Sequence, residues 1–299
     1  MVEIALKSKG KGGRSLSKLP STLDVQPTQS VEDLYQKIGR LTGLGKDRLR
    51  LTLIDNTVLA DGYDLEKYDL QKGSTVFVKD LGYQIAWRTV FLIEYFGPLI
   101  IHPFFYYLQK PIYGKEFEHT REQQTVLCFV LLHFIKREYE SAFVHRFSNA
   151  TMPLKNIFKN SGHYWLISGF NIAYWVYRPD SRPSIPDGIY YVASALWVYA
   201  EVSNYITHIN LASLRPAGTK ERKIPHGYGF NWVSCPNYFF EILGWFAICI
   251  ISRSLSSVIF LIVSAVTMWA WAVKKHKRYR RDFAGKYPKN RKVLFPFLA

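Results

Sequence analysis

Six apolar stretches restrict this chain more than any other feature: they lie near residues 84–108, 123–135, 161–177, 187–207, 238–252 and 255–273. A helix needs ~20 apolar residues to cross the hydrocarbon of a bilayer. Only helices and closed barrels satisfy their backbone there. The second and fifth stretches are short by that measure. All eight tryptophans fall between residues 81 and 273, and many Tyr and Trp sit near the ends of the apolar runs, where amphipathic rings favour a membrane–water interface. Residues 1–80 carry no long apolar run. The near-zero mean hydropathy therefore averages two unlike parts. For residues 81–299 we expect an all-α polytopic membrane bundle of about six transmembrane helices.

The charge distribution gives this bundle an orientation. The net charge of +16 could signal nucleic acid, but ten of the 39 Lys and Arg lie after Val273, directly beyond an apolar run. That is how a cytosolic membrane flank reads, and no nucleic-acid partner is expected. With six spans, the loops on the side of the termini (136–160, 208–237 and the tail) hold nineteen Lys and Arg, against six on the opposite side. Both termini are then cytosolic. The glycosylation sequon Asn149–Thr151 would face the cytosol, unused.

Residues 1–80 read as a small α+β domain. Residues 2–7 alternate as a strand, and a basic glycine-rich turn follows at Lys9–Arg14. Ser30 with Asp33 begins a helix continued by Leu34, Ile38 and Leu41. Gly43 or Gly45 ends it. Arg48–Ile54 alternates, Asp61-Gly62 turns and Ser74–Val78 forms a last strand. Strands around one helix in this length make a ubiquitin-like pattern. The three cysteines (Cys128, Cys235, Cys249) have no metal-site spacing and suggest neither a disulfide framework nor a zinc site. The first 30 residues lack the apolar core of a cleaved signal peptide.

Nucleotide-binding and hydrolase motifs are missing. No GxGxxG follows a strand and no GxxxxGK[ST] occurs. The informative residues are polar groups placed against their solvation cost. Asn237, Tyr238 and Glu241, in the stretch SCPNYFFE (234–241), fall at i, i+1 and i+4, which a helix would put on one face. Glu94 lies mid-run. Glu201, Asn204 and His208 share a helical face that could continue to Arg215. Lys220, Arg222 and Lys223 follow in a loop, and His276, Tyr279 and Arg291 sit in the basic tail. These groups crowd toward the cytosolic ends of the last spans, where Arg and Lys suit a multiply phosphorylated ligand. Taken singly, a tyrosine at a span end is ordinarily a belt residue and tail charges a solvated flank. His133, four residues before Arg137, reads as a capping or packing histidine. A mid-span carboxylate such as Glu94 or Glu241 resists such a reading, because it must be paired, protonated or wet.

At this point the chain resembles the very-long-chain trans-2-enoyl-CoA reductases of the endoplasmic reticulum, within the wider steroid 5α-reductase-like membrane reductases. The resemblance runs along the whole chain. It rests on FLIEY (91–95), FVHRFS (143–148), TMPLKNIF (151–158), LRPAG (214–218), KIP (223–225), SCPNY (234–238) with Glu241, and the tail YPK (287–289) to PFL (296–298). It implies NADPH as cofactor, a long-chain enoyl-CoA as substrate and a saturated acyl-CoA as product. That is the last step of fatty acid elongation, feeding sphingolipid metabolism, with membrane lipid and other elongation enzymes as partners. Carried over by motif, Tyr238 is the proton donor, and Glu94 and Glu241 match family carboxylates. Asn204, Arg215, Lys223, Asn237, His276, Tyr279 and Arg291 become cofactor contacts.

The steroid-reducing relatives carry an aspartate where this chain has His208 and a tyrosine where it has Phe134, so their catalytic pair does not transfer. The implied chemistry is physically coherent. Hydride addition to C3 makes a thioester enolate, and a nearby proton donor lowers that barrier. A phenol, with a reference pKa of about 10, is protonated at neutral pH. A nearby Lys or Arg would steady the phenolate. The alternatives are a steroid or polyprenol double-bond reductase of the same fold, or a non-catalytic membrane scaffold.

Overall fold

The computed structural model describes residues 1–10, 16–147, 150–215 and 222–298. The chain divides into two compact units, Met1–Ala86 with Ala150–Asn156, and Trp87–Asn149 with Ile157–Ala299. The glycine-rich turn at 11–13, Asn149 of the sequon, residues 216–218 of LRPAG and Lys220 lie outside the described residues.

In the first unit, strands β1 (Val2–Ser8), β2 (Thr22–Val25), β3 (Leu49–Thr52) and β4 (Thr75–Asp80) form one sheet in the order β2-β1-β4-β3. β1 and β4 are parallel and the other pairs antiparallel. Alternation along β1 turns Ile4 and Leu6 inward, against Leu34 and Ile38 of helix α1 (Val31–Thr42). The ends of α1 are set locally. The Ser30 hydroxyl accepts from the Asp33 N–H at 3.1 Å, and Gly43 closes the helix at φ +71°, a conformation that costs glycine nothing. A second, two-stranded sheet pairs β5 (Gln84–Ala86) with β6 (Thr151–Pro153). Sequence pattern missed β2, β5 and β6. It also placed residues 84–86 at the head of an apolar helix and closed the first domain at residue 80. The correction has a simple cause: β5 is short, and its partner is distant in sequence.

The second unit is helical. It comprises α2 (Trp87–Tyr107), α3 (Gln109–Tyr113), α4 (Arg121–Tyr139), a π-helical turn Glu140–Val144, α5 (Asn156–Ser161), a π-helical stretch Gly162–Asn171, α6 (Ile172–Val176), α7 (Asp187–Ser213), α8 (Pro236–Ser252) and α9 (Leu255–Asp282). Each expected apolar stretch lies mainly on a helical segment. Among the described residues two helices, α2 and α9, are long and apolar enough to cross a membrane, and α8 is apolar but shorter. α7 has the length, yet Glu201, Asn204 and His208 interrupt its apolar character. The unit buries a cluster of polar side chains beside its apolar core and exposes apolar ones. Glu94, His133, Glu140, Asn204 and His208 are buried, while Phe96, Ile100, Ile135, Val202 and Ile262 are exposed. An exposed apolar surface on several helices suits lipid as the surrounding solvent.

Local signals position the helices around that interior. Thr120 and Gln123 form a capping box at the start of α4. Pro236 occupies the first turn of α8, where its missing N–H costs nothing. Pro98 inside α2 cannot donate to the Glu94 carbonyl, which interrupts the helix ladder there. Tyr95, Phe134, Ile172, Trp197, Trp245 and Phe260 belong to the apolar core of the bundle.

Candidate active site

α4, α7 and α8 are tied together by buried polar side chains. His133 on α4 is 2% exposed, and its two ring nitrogens meet two carboxylates: Nδ1 lies 2.8 Å from Glu201 Oε1 on α7, and Nε2 lies 3.1 Å from Glu241 Oε1 on α8. An ionised carboxylate only accepts, so both ring nitrogens donate. One turn along α4, Lys136 Nζ reaches Glu201 Oε2 and Asn204 Oδ1, each at 2.6 Å. Asn204 Nδ2 then donates to the Asn237 carbonyl at 2.8 Å and to Glu241 Oε2 at 3.1 Å. Both oxygens of Glu241 are thereby engaged, and the first turn of α8 is held by α7. The helices can approach this closely because residue 244 is glycine. A Cβ there would stand 3.2 Å from Glu201 Oε1.

A second cluster surrounds Arg137. Its guanidinium donates to the Tyr95 hydroxyl at 2.8 Å, to Glu140 Oε2 at 2.5 Å and to His208 Nδ1 at 3.2 Å. His145 Nε2 is 2.7 Å from the same His208 nitrogen. Burial pushes His145 down to about 2, so its ring stays neutral, and the charge of Arg137 acts in the same direction. Glu140, His145 and His208 bring ligand atoms within 4.8 Å of one another, close enough to hold a metal ion. Arg137 already supplies the positive charge between them, so we read the cluster as an ion-pair network. Glu94 on α2 is buried, and its Oε2 has no hydrogen-bond partner among the described residues.

The segments before α8 and after α9 form a third layer. Ser234 Oγ lies 2.6 Å from both His276 Nδ1 and the Tyr287 hydroxyl. Tyr287 stacks on Tyr279 at 5.5 Å, and the Arg291 guanidinium sits 4.9 Å from the Tyr287 ring while donating to the Pro225 carbonyl at 3.0 Å. Burial raises the Tyr287 phenol above its ordinary value, opposed by its bonds to Ser234 and Arg291. α7 ends at Ser213, so Arg215 lies beyond the helical face that spacing alone would extend to it. Its Nη1 donates to the Arg146 carbonyl at 2.6 Å. Burial and then Arg222 pull Arg215 below its usual value, although an arginine keeps its charge at any physiological pH. Lys223 is exposed.

Spacing placed Asn237, Tyr238 and Glu241 on one face, and the structure separates them. Glu241 turns toward α4 and α7, and the Asn237 backbone carbonyl accepts from Asn204 on α7. Tyr238, rotated by one residue's ~100°, turns toward α9, where its ring lies 6.2 Å from Trp271. The residues that sequence reading passed over are Lys136, Arg137, Glu140 and Tyr95, and it gave His133 only a packing role. Their signal was a basic pair and two acids closing an apolar helix at i, i+3 and i+4 spacing. Such a run normally reads as a solvated end.

Three buried polar atoms bear on a phosphorylated cofactor: Arg215 Nε, Arg291 Nε and Asn237 Oδ1 have no partner among the described residues. Two guanidinium donors suit phosphate oxygens and an amide oxygen suits a carboxamide N–H, so the residues present fit a dinucleotide.

The family described as 3-oxo-5-alpha-steroid 4-dehydrogenase matches residues 150–299. A Schizosaccharomyces pombe protein, named as a candidate enoyl reductase, is 47% identical over 298 residues, 99% of each chain. The very-long-chain enoyl-CoA reductase of Dictyostelium discoideum is 44% identical over 90% of this chain and 92% of its own. A trans-2,3-enoyl-CoA reductase-like protein of Homo sapiens is 33% identical over 75% of this chain and 64% of its own. The chain belongs to the very-long-chain enoyl-CoA reductases, within the family of the 3-oxo-5-alpha-steroid 4-dehydrogenases.

Proposed function

We propose that this protein is a membrane oxidoreductase that reduces very-long-chain trans-2-enoyl-CoA to the saturated acyl-CoA with NADPH. The observation that carries the proposal is the lashing of α8 by His133 and by Asn204, itself held by Lys136, which presents Asn237 and Tyr238 at the helix start. A rigid support of this kind is what a reacting geometry requires. NADPH, when bound, would supply the hydride to C3. Arg215 and Arg291 would hold its phosphates, with Lys223, His276 and Tyr279 around them. Asn237 Oδ1 would accept from the carboxamide. Asn204 acts through Asn237 by fixing its backbone. Tyr238 would give its proton to C2. Glu241, with both oxygens taken, positions the donor turn and stays out of proton transfer. Glu94 would face the reacting end through its unpartnered oxygen.

The wider setting follows the same logic. The apolar exterior supports a multi-pass arrangement of about six spans in the endoplasmic reticulum membrane, both termini cytosolic. The acyl chain would leave sideways into lipid and the CoA phosphates would stay on the basic cytosolic face. The β2-β1-β4-β3 sheet with α1 supports a ubiquitin-like fold for the N-terminal unit. The reaction would close an elongation cycle alongside condensing, ketoacyl-reducing and dehydrating enzymes, and would feed sphingolipid synthesis.

The test is NADPH oxidation by purified protein with trans-2-hexadecenoyl-CoA, wild type beside Tyr238→Phe. Wild type turns over, and the variant stays folded and loses about 100-fold or more in kcat. Full activity in Tyr238→Phe would remove the donor role. Because the family description is that of a steroid dehydrogenase, a 3-oxo-4-ene steroid is the control substrate, and its preferential reduction would replace the enoyl-CoA reading.

A further inference from the structure

Tyr238, once it has given up its proton, is a phenolate at the edge of an apolar bundle. Such an anion needs a positive charge at hand. Most cations of the site are already committed. Lys136 is paired with Glu201, and Arg137 with Glu140. Arg291 is bonded to the Pro225 carbonyl and stacked on Tyr287.

Lys275 differs. It lies on α9 four residues after Trp271, whose ring packs 6.2 Å from Tyr238. It also lies four residues before Tyr279, whose ring centre is 5.9 Å from Lys275 Nζ. One face of α9 thus carries Trp271, Lys275 and Tyr279 in succession. Ala272, next on the helix, packs with Cys235 and Tyr238. Lys275 is half-buried and has no ion pair to a carboxylate among the described residues.

We propose that Lys275 is the cationic positioning residue for Tyr238, holding the phenol and steadying the phenolate formed when its proton moves to C2. The inference rests on the enoyl-CoA reductase reading above. In the step, C3 has received a hydride equivalent and C2 carries the enolate electron pair. The Tyr238 O–H bond breaks, a C2–H bond forms, and the electron pair left on the phenolate oxygen is balanced by the ammonium. Lys275 then returns a proton to the phenolate and is itself reprotonated from water.

The experiment uses the full-length protein in lipid vesicles with NADPH and trans-2-hexadecenoyl-CoA, comparing Lys275→Met, Lys275→Arg, Tyr238→Phe and the double variant Lys275→Met/Tyr238→Phe. Lys275→Met lowers kcat about 10- to 100-fold and leaves the KM for NADPH within about twofold. It also raises the solvent deuterium isotope effect on kcat. Lys275→Arg recovers most of the loss. In the Tyr238→Phe background, Lys275→Met costs nothing further, because it acts through the hydroxyl. Unchanged kcat in a folded Lys275→Met variant overturns the assignment. So does a rise in the KM for NADPH at constant kcat, which would make Lys275 a phosphate contact. So does additive loss in the double variant. An inactive wild type would instead sink the functional reading itself, whereas an active wild type with an indifferent Lys275 refutes this inference alone.

Discussion

His133→Leu tests the central network most directly. Leucine is apolar and fits among the aromatic neighbours Phe134 and Trp245, whose rings lie 5.0 and 5.2 Å from the imidazole. What it removes is the bridge between Glu201 and Glu241, held at 2.8 and 3.1 Å. Glu201 keeps Lys136 and Glu241 keeps Asn204, but each carboxylate loses its charged partner on the His133 side. Breaking a buried ion pair by removing one partner costs about 3–5 kcal/mol. For a unit of this size each kcal/mol is worth about 2–4 °C, so the apparent melting temperature should fall by roughly 6–20 °C. The assay is tryptophan fluorescence of the purified full-length protein at a fixed scan rate, since unfolding of such proteins is commonly irreversible. Adding Glu241→Gln to His133→Leu removes one stranded charge and should recover about 1–3 kcal/mol. A fall below about 3 °C for His133→Leu, or a double variant no better than the single, would refute the claim that these carboxylates are desolvated and mutually dependent.

Three further outcomes follow from separate parts of the molecule. A Cβ at Gly97 would run into the Trp165 indole, whose Nε1 donates to the Ile93 carbonyl at 2.9 Å, so Gly97→Val should destabilise the bundle by about 1–3 kcal/mol in the same fluorescence assay. Arg215→Ala should raise the KM for NADPH more than it lowers kcat, and an unchanged KM would remove Arg215 from the cofactor site. Asp80 is bonded bidentately by Arg48, at 3.2 and 2.6 Å. Burial alone would raise its carboxyl, but Arg48 and the Gly82 N–H outweigh burial and hold it low. A depressed carboxyl stabilises above its unfolded pKa of about 3.9 and loses that stabilisation as pH falls further. Asp80→Asn should therefore cost about 0.5–1 kcal/mol at neutral pH, solvent screening included, with the difference vanishing at acid pH. Hydrogen exchange of the β3 and β4 amides in the full-length protein reads it.

Much of the architecture is legible locally. Ser30 and Gly43 bound α1 by side-chain capping and by a left-handed turn, which involve only nearby residues. The apolar stretches mark helical segments because a helix is the way a long apolar run satisfies its own backbone in lipid. The pairing of β5 with β6 was illegible, because it joins segments separated by much of the bundle sequence. The same limit applied to the site. Glu94, Asn237 and Glu241 stood out as polar groups in apolar surroundings. His133, Lys136 and Arg137 looked like the ordinary polar end of a helix.

Residue order along the chain already shows a polar, strand-forming N-terminal segment before an apolar helical one, with polar groups gathered near the last helices. Composition and period are enough for that, since each is a property of contiguous residues. Tertiary structure alone decided how those groups are used. It set Glu241 against His133 and Asn204, which makes it a support. It turned Tyr238 one residue's rotation away, toward Trp271 and the face of α9 that carries Lys275. Partners on different helices are chosen by packing angle and register, and these are fixed only when the whole bundle closes around its buried charges.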